Sequence, residues 1–285
     1  MAELIDGRKI AQEMKLAVKE QFEEIHSSSG HTAKLVSIIA GGEKEAELYL
    51  KAQERTASSI GIEFESCVFG GDIDQTGLIS RIQQLNEDDS VTAVIVEYPL
   101  PEGIDYDKVI TALKPEKDAE GIHPFNLGRI YRRDADIVPC TPGAVMKILT
   151  VNGVDLYGKD VVLIGHSPIV GKPLSLMMLN ETATTTVCHI GTADKGDLKS
   201  YTRNADILVV AVGKPGMVQG DWVKEGVVVI DVGINHVDGK IVGDVDFEDV
   251  KGKAAMITPV PGGVGPITVA ILMRNVLRAY RMQHG

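Results

Sequence analysis

Val161-Val162-Leu163-Ile164-Gly165-His166-Ser167-Pro168-Ile169-Val170-Gly171 is the stretch that decides the fold. Four consecutive aliphatic residues read as a buried strand, Gly165 ends it, and Gly171 opens a helix. A strand that passes through a glycine-bearing turn into a helix begins a βαβ unit. Its glycines let the backbone turn tightly and approach an anionic group seated on the helix N-terminus. The spacing is not Gly-x-Gly-x-x-Gly, because Ser167 takes the place of the second glycine. On these residues alone, a dinucleotide site and an ordinary strand-to-helix turn both fit.

The same alternation extends outward from this stretch. The β-branched stretch at 185–188 and the apolar runs at 207–210 and 227–230 read as further strands separated by helices. In the first half, Ile10, Met14, Val18 and Phe22 recur at helical spacing, and the apolar run at 35–39 follows. A helix over about 43–59 carries Tyr49 and is closed by Gly61. A strand near 64–69, a helix near 76–85 and a strand at 93–96 come next. This order favours parallel sheets with helices on both faces. The expectation is an α/β protein with two α/β domains around a cleft, the C-terminal one of Rossmann type. Residues 120–141 read as the junction and about 268–280 as the last helix.

Composition limits the function classes. The 285 residues are 44% hydrophobic and 24% charged, which suits a globular chain. A formal net charge of -11 argues against nucleic acid or an anionic membrane as partner. No apolar run is long enough to span a bilayer, and the N-terminus lacks a basic region followed by an apolar one, so a cytoplasmic location is expected. Cys67, Cys140 and Cys188 are odd in number and far apart, which fits reduced thiols. None has metal-ligand spacing to a histidine, and no metal site is expected.

Further motifs carry a resemblance. Val96-Glu97-Tyr98-Pro99-Leu100-Pro101, Lys117-Asp118-Ala119-Glu120-Gly121, Pro139-Cys140-Thr141-Pro142, Val232-Gly233-Ile234-Asn235 and Pro259-Val260-Pro261-Gly262-Gly263-Val264-Gly265-Pro266 flank the strand–turn–helix in a fixed order. Together they resemble the bacterial bifunctional methylenetetrahydrofolate dehydrogenase/methenyltetrahydrofolate cyclohydrolase family nearly end to end, the Pro-Gly-Gly-Val-Gly-Pro block most specifically. The resemblance implies a folate-binding catalytic domain over 1–120 plus 268–285 and an NAD(P)-binding domain over 121–267, in a homodimer. It implies catalytic roles at positions 49, 53, 97 and 120, held here by Tyr49, Gln53, Glu97 and Glu120. Substrate contacts are implied for Tyr49, Tyr98, Asp118, Pro261, Gly262 and Gly265. Cofactor contacts are implied for Gly165, His166, Ser167, Gly171, Ile190, Ile234 and Thr268.

The chain departs from the family pattern at three polar positions. The family has a lysine four residues after the tyrosine, placed to activate water and shuttle protons in the hydrolytic step; this chain has Gln53. Lys51 does not replace it, because i+2 points to the other side of a helix. The glutamine that tunes the lysine is Glu97, and the aspartate that grips the pterin is Glu120, one methylene longer. An ammonium lost at 53 and a carboxylate gained at 97 make the site more negative by up to two charges if Glu97 is ionised, which favours a cationic methenyl product. Ring opening by water needs general acid–base help that Gln53 cannot give, so oxidation is expected to survive and cyclohydrolase activity to be weak or absent.

The cofactor positions depart as well. An imidazole at 166 is a poor substitute for the guanidinium fork that the family uses for the 2′-phosphate of NADP, and Ile190 offers no hydrogen bond. NAD is therefore expected over NADP, with tetrahydrofolate as the carrier substrate. Alternatives are a dehydrogenase for another reduced-pterin one-carbon adduct and a catalytically silent folate-binding paralogue. His123 and His189 read as structural or cofactor-adjacent, and Cys140 as a packing residue. Asp118 reads equally as orienting its loop or as a cap.

Overall fold

A computed structural model describes residues 2–41 and 44–285, and side chains except those of residues 42–49. The chain divides into two compact units: residues 1–11, 130–133 and 139–268, and residues 12–129, 134–138 and 269–285. Among the described residues no helix is long and apolar enough to cross a membrane.

In chain order the strands are β1 (Glu3–Leu4), β2 (Lys34–Ala40), β3 (Glu63–Phe69), β4 (Ala93–Val96), β5 (Asp160–Ile164), β6 (Thr184–Cys188), β7 (Ile207–Val210), β8 (Val228–Asp231), β9 (Asn235–Val237), β10 (Lys240–Val242) and β11 (Met256–Ile257). The principal helices are α1 (Gly7–Ser29), α2 (Lys44–Ser59), α3 (Gln75–Glu87), α4 (Tyr106–Thr111), α5 (Pro124–Tyr131), α6 (Cys140–Val151), α7 (Gly171–Asn180) and, last in the chain, α8 (Val264–His284).

The unit built on residues 12–129 holds a three-stranded parallel sheet in the order β3-β2-β4. A central strand covered on both faces has no place for water, so β2 is buried from Leu35 to Ala40 and reads as a near-continuous apolar run. Val36 and Ile38 of β2, with Val94 and Val96 of β4, share one face and pack against Leu78, Ile82 and Leu85 of α3. Ser37 is the one hydroxyl inside this strand, and it points to the other face.

The other unit holds a six-stranded, wholly parallel sheet in the order β1-β11-β8-β7-β5-β6. Counted from β5, the first five strands stand in the doubly wound order 2-1-3-4-5, with β1 added beyond β11. The chain reverses direction of travel across the sheet between β5 and β7, and ligands of such sheets settle beyond the carboxyl ends of the strands at that point. One face is apolar at alternate positions: Val162 and Ile164, Leu208 and Val210, Val227 and Val229, and Ile257.

The unit boundaries differ from those expected. Residues 1–11 fall with the six-stranded sheet because Glu3 and Leu4 pair in parallel with Met256 and Ile257, while the buried Ile5 donates its N–H to the Ile257 carbonyl. A two-residue strand is too short to show alternation, so nothing in the sequence announced it. Residues 121–129 fall with the other unit, where Asn126 donates to Asp118 Oδ2 and the Pro115 carbonyl. The last helix starts earlier and runs further than 268–280, from Val264 to His284.

Candidate functional site

The expected residues fall into three groups. The first surrounds the Gly165 turn at the carboxyl ends of β5 and β7. Gly165 has φ +124°, and a Cβ there would lie 2.4 Å from the Ala211 carbonyl oxygen, so only glycine lets β5 leave the sheet at this point. A Cβ on Gly171 would lie 2.1 Å from the Gly165 oxygen, which fixes the second glycine for the same reason of close approach. Ser167 Oγ accepts from the Val170 N–H at 3.1 Å and shapes the turn in place of a middle glycine. Helix α7 starts at Gly171 without a side-chain cap; the Lys172 N–H donates to the Ser167 carbonyl at 3.1 Å, and Pro173 brings no N–H to the first turn.

A cavity of about 330 Å³ opens beside this turn, lined by Gly165, His166, Ser167, His189, Ile190, Val212, Lys214 and Met217. Gly165 leaves room for a close backbone approach and the walls are largely apolar, which fits the adenosine half of a dinucleotide. His166 and His189 face each other with ring centroids 5.0 Å apart. His189 Nδ1 accepts from the Gly191 N–H at 3.1 Å and caps the short helix that begins at Ile190, so its role includes a structural one. Ile190 is exposed. Sequence reasoning missed Lys214 and Met217 here, since neither stands in a recognisable phosphate or nucleotide motif.

The second group lies in the same unit. Ile234, Pro261, Gly262 and Gly265 line a cavity of about 200 Å³ together with Arg8 and Gly233. The Val260–Pro261 bond is cis. Arg8 was not foreseen, because α1 was read only for its apolar stripe. Thr268 lies one turn into α8, where its Oγ1 donates to the Val264 carbonyl at 3.3 Å.

The third group belongs to the other unit. Gln53 sits on α2 on the side that also buries Ala57 and Ile60, and it is fully buried, whereas Lys51 is exposed. This is the helical-face geometry that excluded Lys51 as a stand-in. Gln53 Nε2 donates to Glu97 Oε1 at 2.8 Å, and Ser37 Oγ donates to the same oxygen at 3.2 Å. Gln53 Oε1 is buried without a hydrogen-bond partner among the described residues. Ser37 is a further residue of this site that sequence reasoning missed, although a lone hydroxyl inside an apolar strand is the available signal. Tyr49 lies on α2, but its side chain is outside the described residues.

Burial pushes the Glu97 carboxyl above its ordinary value, and the two hydrogen bonds from Gln53 and Ser37 oppose that shift. Glu120 is pushed well above the usual carboxylate range, first by burial and then by the nearby charges of Glu97 and Asp118. The two carboxyl groups therefore resist being ionised together. The full gain of negative charge anticipated from the substitutions is reduced accordingly. Tyr106 was also missed: its hydroxyl has one proton to share between Glu120 Oε2 at 3.5 Å and the Val96 carbonyl at 3.4 Å, and burial pushes its own pKa upward. Tyr98 is exposed and meets Tyr106 edge-on at 5.3 Å between centroids.

Asp118 organises its loop. Its Oδ1 accepts from the Gly121 N–H, and its Oδ2 from the His123 N–H and Asn126 Nδ2, at 2.8–3.0 Å. It is almost wholly buried, and burial raises its pKa against these three bonds. His123 Nδ1 accepts from the Phe125 N–H, a turn contact. Among the described residues no group of three His, Cys, Asp or Glu side chains could hold a metal ion.

Comparison with known proteins places these features in a family. Residues 5–120 match the tetrahydrofolate dehydrogenase/cyclohydrolase catalytic domain, and residues 139–284 match the NAD(P)-binding domain of the same family. A bifunctional protein FolD of a Sulfurihydrogenibium species is 48% identical over 282 residues, covering 98% of this chain and 97% of the relative. The crystal structure of the bifunctional FolD methylenetetrahydrofolate dehydrogenase/cyclohydrolase of Campylobacter jejuni superposes with a TM-score of 0.95 at 41% identity, covering 99% of this chain and 100% of that one. The FolD of Trypanosoma brucei, solved with NADP and an inhibitor, gives 0.94 at 37% identity, covering 99% and 98%. With both halves matched in order and nearly the whole length covered, the chain belongs to the tetrahydrofolate dehydrogenase/cyclohydrolase family.

Proposed function

We propose that this chain is a cytoplasmic, homodimeric NAD(P)-dependent methylenetetrahydrofolate dehydrogenase of one-carbon metabolism that prefers NAD and whose methenyltetrahydrofolate cyclohydrolase activity is weak or absent. Family membership and the Gly165–Gly171 turn support the oxidation. The nicotinamide, when bound, supplies the hydride acceptor, and loss of hydride turns 5,10-methylenetetrahydrofolate into the 5,10-methenyl cation. The protein's part is to align the donor carbon and to favour the charge that develops there. The Glu97 carboxylate, which the hydrogen bonds from Gln53 and Ser37 favour against burial, serves that charge, and Gly165, Ser167 and Gly171 serve the dinucleotide.

The observation that carries the weak hydrolysis is the buried Gln53 amide bonded to Glu97. Gln53 does not titrate. Glu97, its partner, is tied by two donors on one oxygen. The relatives are named bifunctional, so the two halves of the proposal are separated by measuring each step alone. Reduced-nicotinamide absorbance is followed with methylenetetrahydrofolate and either cofactor, and decay of the methenyl absorbance is followed without cofactor. Oxidation with slow hydrolysis is the expected pair of results. Folate binding without turnover would identify a silent paralogue, and rapid hydrolysis would make the chain an ordinary bifunctional member.

A further inference from the structure

Asp244 is a fully buried aspartate between β10 and the sheet's far strands, outside every motif used so far. Its Oδ2 accepts from the Val212 N–H at 2.7 Å and the Gly213 N–H at 3.0 Å. Its Oδ1 accepts from the Lys214 N–H at 2.8 Å and from Asn235 Nδ2 at 2.9 Å. Three consecutive backbone amides converging on one carboxylate form a nest of the kind that binds anions, here filled from within the chain. Val212 and Lys214 wall the cavity beside the Gly165 turn, whereas Asn235 follows Ile234, which walls the cavity beside Pro261.

The carboxylate is itself held in place. Asp231, at the end of β8, accepts the Asp244 N–H on Oδ1 at 3.0 Å and the Val245 N–H on Oδ2 at 2.9 Å. Asp231 Oδ1 also accepts from the Gly233 N–H at 3.0 Å. The packing is close enough that a Cβ on Gly233 would lie 2.2 Å from the Asp244 carboxyl carbon. The glycine before Ile234 is therefore required by Asp244, not by a turn. Four hydrogen bonds on one buried carboxyl group tie together the segments that follow β7 and β8, beyond the point where the pairing of those two strands ends.

We infer that Asp244 is a positioning residue of the nucleotide site: one carboxylate sets the loop at 212–214 directly and the Ile234 segment through Asn235, so that the two halves of a dinucleotide are held in register. This rests on the proposed nucleotide site. Asp244→Asn puts an N–H group among amides that already donate, which opens the 212–214 loop while adding almost no volume. Asn235→Ala removes the arm towards Ile234, together with the 3.4 Å bond to the Val242 carbonyl, and leaves the three amide bonds in place.

The test measures ADP-ribose affinity by calorimetry and the single-turnover hydride-transfer rate with NAD, alongside thermal unfolding. Asp244→Asn is expected to weaken ADP-ribose by at least about tenfold, and Asn235→Ala to leave it within about twofold while slowing hydride transfer about tenfold. A merely structural role would lower the melting temperature of both variants without this split between affinity and rate. Folded Asp244→Asn with wild-type ADP-ribose affinity overturns the inference. So does Asn235→Ala with an unchanged hydride-transfer rate, which decides the matter even where Asp244→Asn does not fold. Failure of the wild-type chain to bind ADP-ribose overturns the nucleotide site itself, and this inference with it.

Discussion

Installing a lysine at position 53 tests whether the missing ammonium is what separates oxidation from hydrolysis. Gln53 is fully buried, and its amide nitrogen lies 2.8 Å from Glu97 Oε1. An ammonium at that distance from an ionised carboxylate gains about 6 kcal/mol at an effective dielectric constant of about 20. Desolvating the two ions costs several kcal/mol each, so the net stabilisation is small. The pairing is still enough to hold the lysine protonated, since an adjacent carboxylate raises a lysine pKa. Gln53→Lys alone is therefore expected to hydrolyse methenyltetrahydrofolate within about tenfold of wild type. With Glu97→Gln added, the lysine loses the carboxylate it would touch, and burial lowers its pKa and frees the base. Ser37 keeps an acceptor in the new amide oxygen.

General acid–base help of this kind is worth about 100-fold or more, so the double variant is expected to exceed the uncatalysed rate by at least that factor. The coupling in a double-mutant cycle is then at least about 1.4 kcal/mol. The assay follows methenyl absorbance in a medium of low buffer concentration, with oxidation measured in parallel to show that the fold is intact. A wild-type rate already about 100-fold above the uncatalysed one, worth about 2.7 kcal/mol, would refute the reasoning. Additive single effects would show that Glu97 does not control the lysine.

Two further outcomes are expected. NAD gives the higher kcat/KM in the wild type, and His166→Arg moves the preference towards NADP by creating a guanidinium–phosphate pair; a wild-type preference for NADP of about tenfold or more contradicts the assignment of this corner. Glu120→Gln raises the melting temperature, and more so near pH 8 than near pH 5. A carboxyl whose folded pKa lies above its unfolded one stabilises the fold while protonated and loses that stabilisation as pH rises through the folded value, whereas glutamine loses nothing. A gain of about 2–4 °C corresponds to each kcal/mol in a chain of this size, and a larger gain at the lower pH would show that the charged form of Glu120 is the favoured one.

Much was determined by the sequence alone. The alternation of apolar runs with helical stripes gave both parallel sheets, because a strand covered on two faces reads as a near-continuous apolar run, as β7 does throughout and β2 does apart from Lys34 and Ser37. The Gly165–Gly171 turn and the opposite facing of Gln53 and Lys51 on α2 followed from backbone sterics and helical period, both local properties, whereas which of the two sides is buried did not. Only the tertiary structure decided the rest. That β1 closes the six-stranded sheet depends on a pairing over some 250 positions, and two residues carry no period. That Ser37 and Gln53 share one oxygen of Glu97, that Tyr106 meets Glu120, and that Asp244 gathers residues 212–214 are contacts between distant segments. The charge of the acidic site was likewise beyond the sequence. A carboxylate reads as a full negative charge in a row of letters, and burial beside a second carboxylate is what makes the ionised form costly.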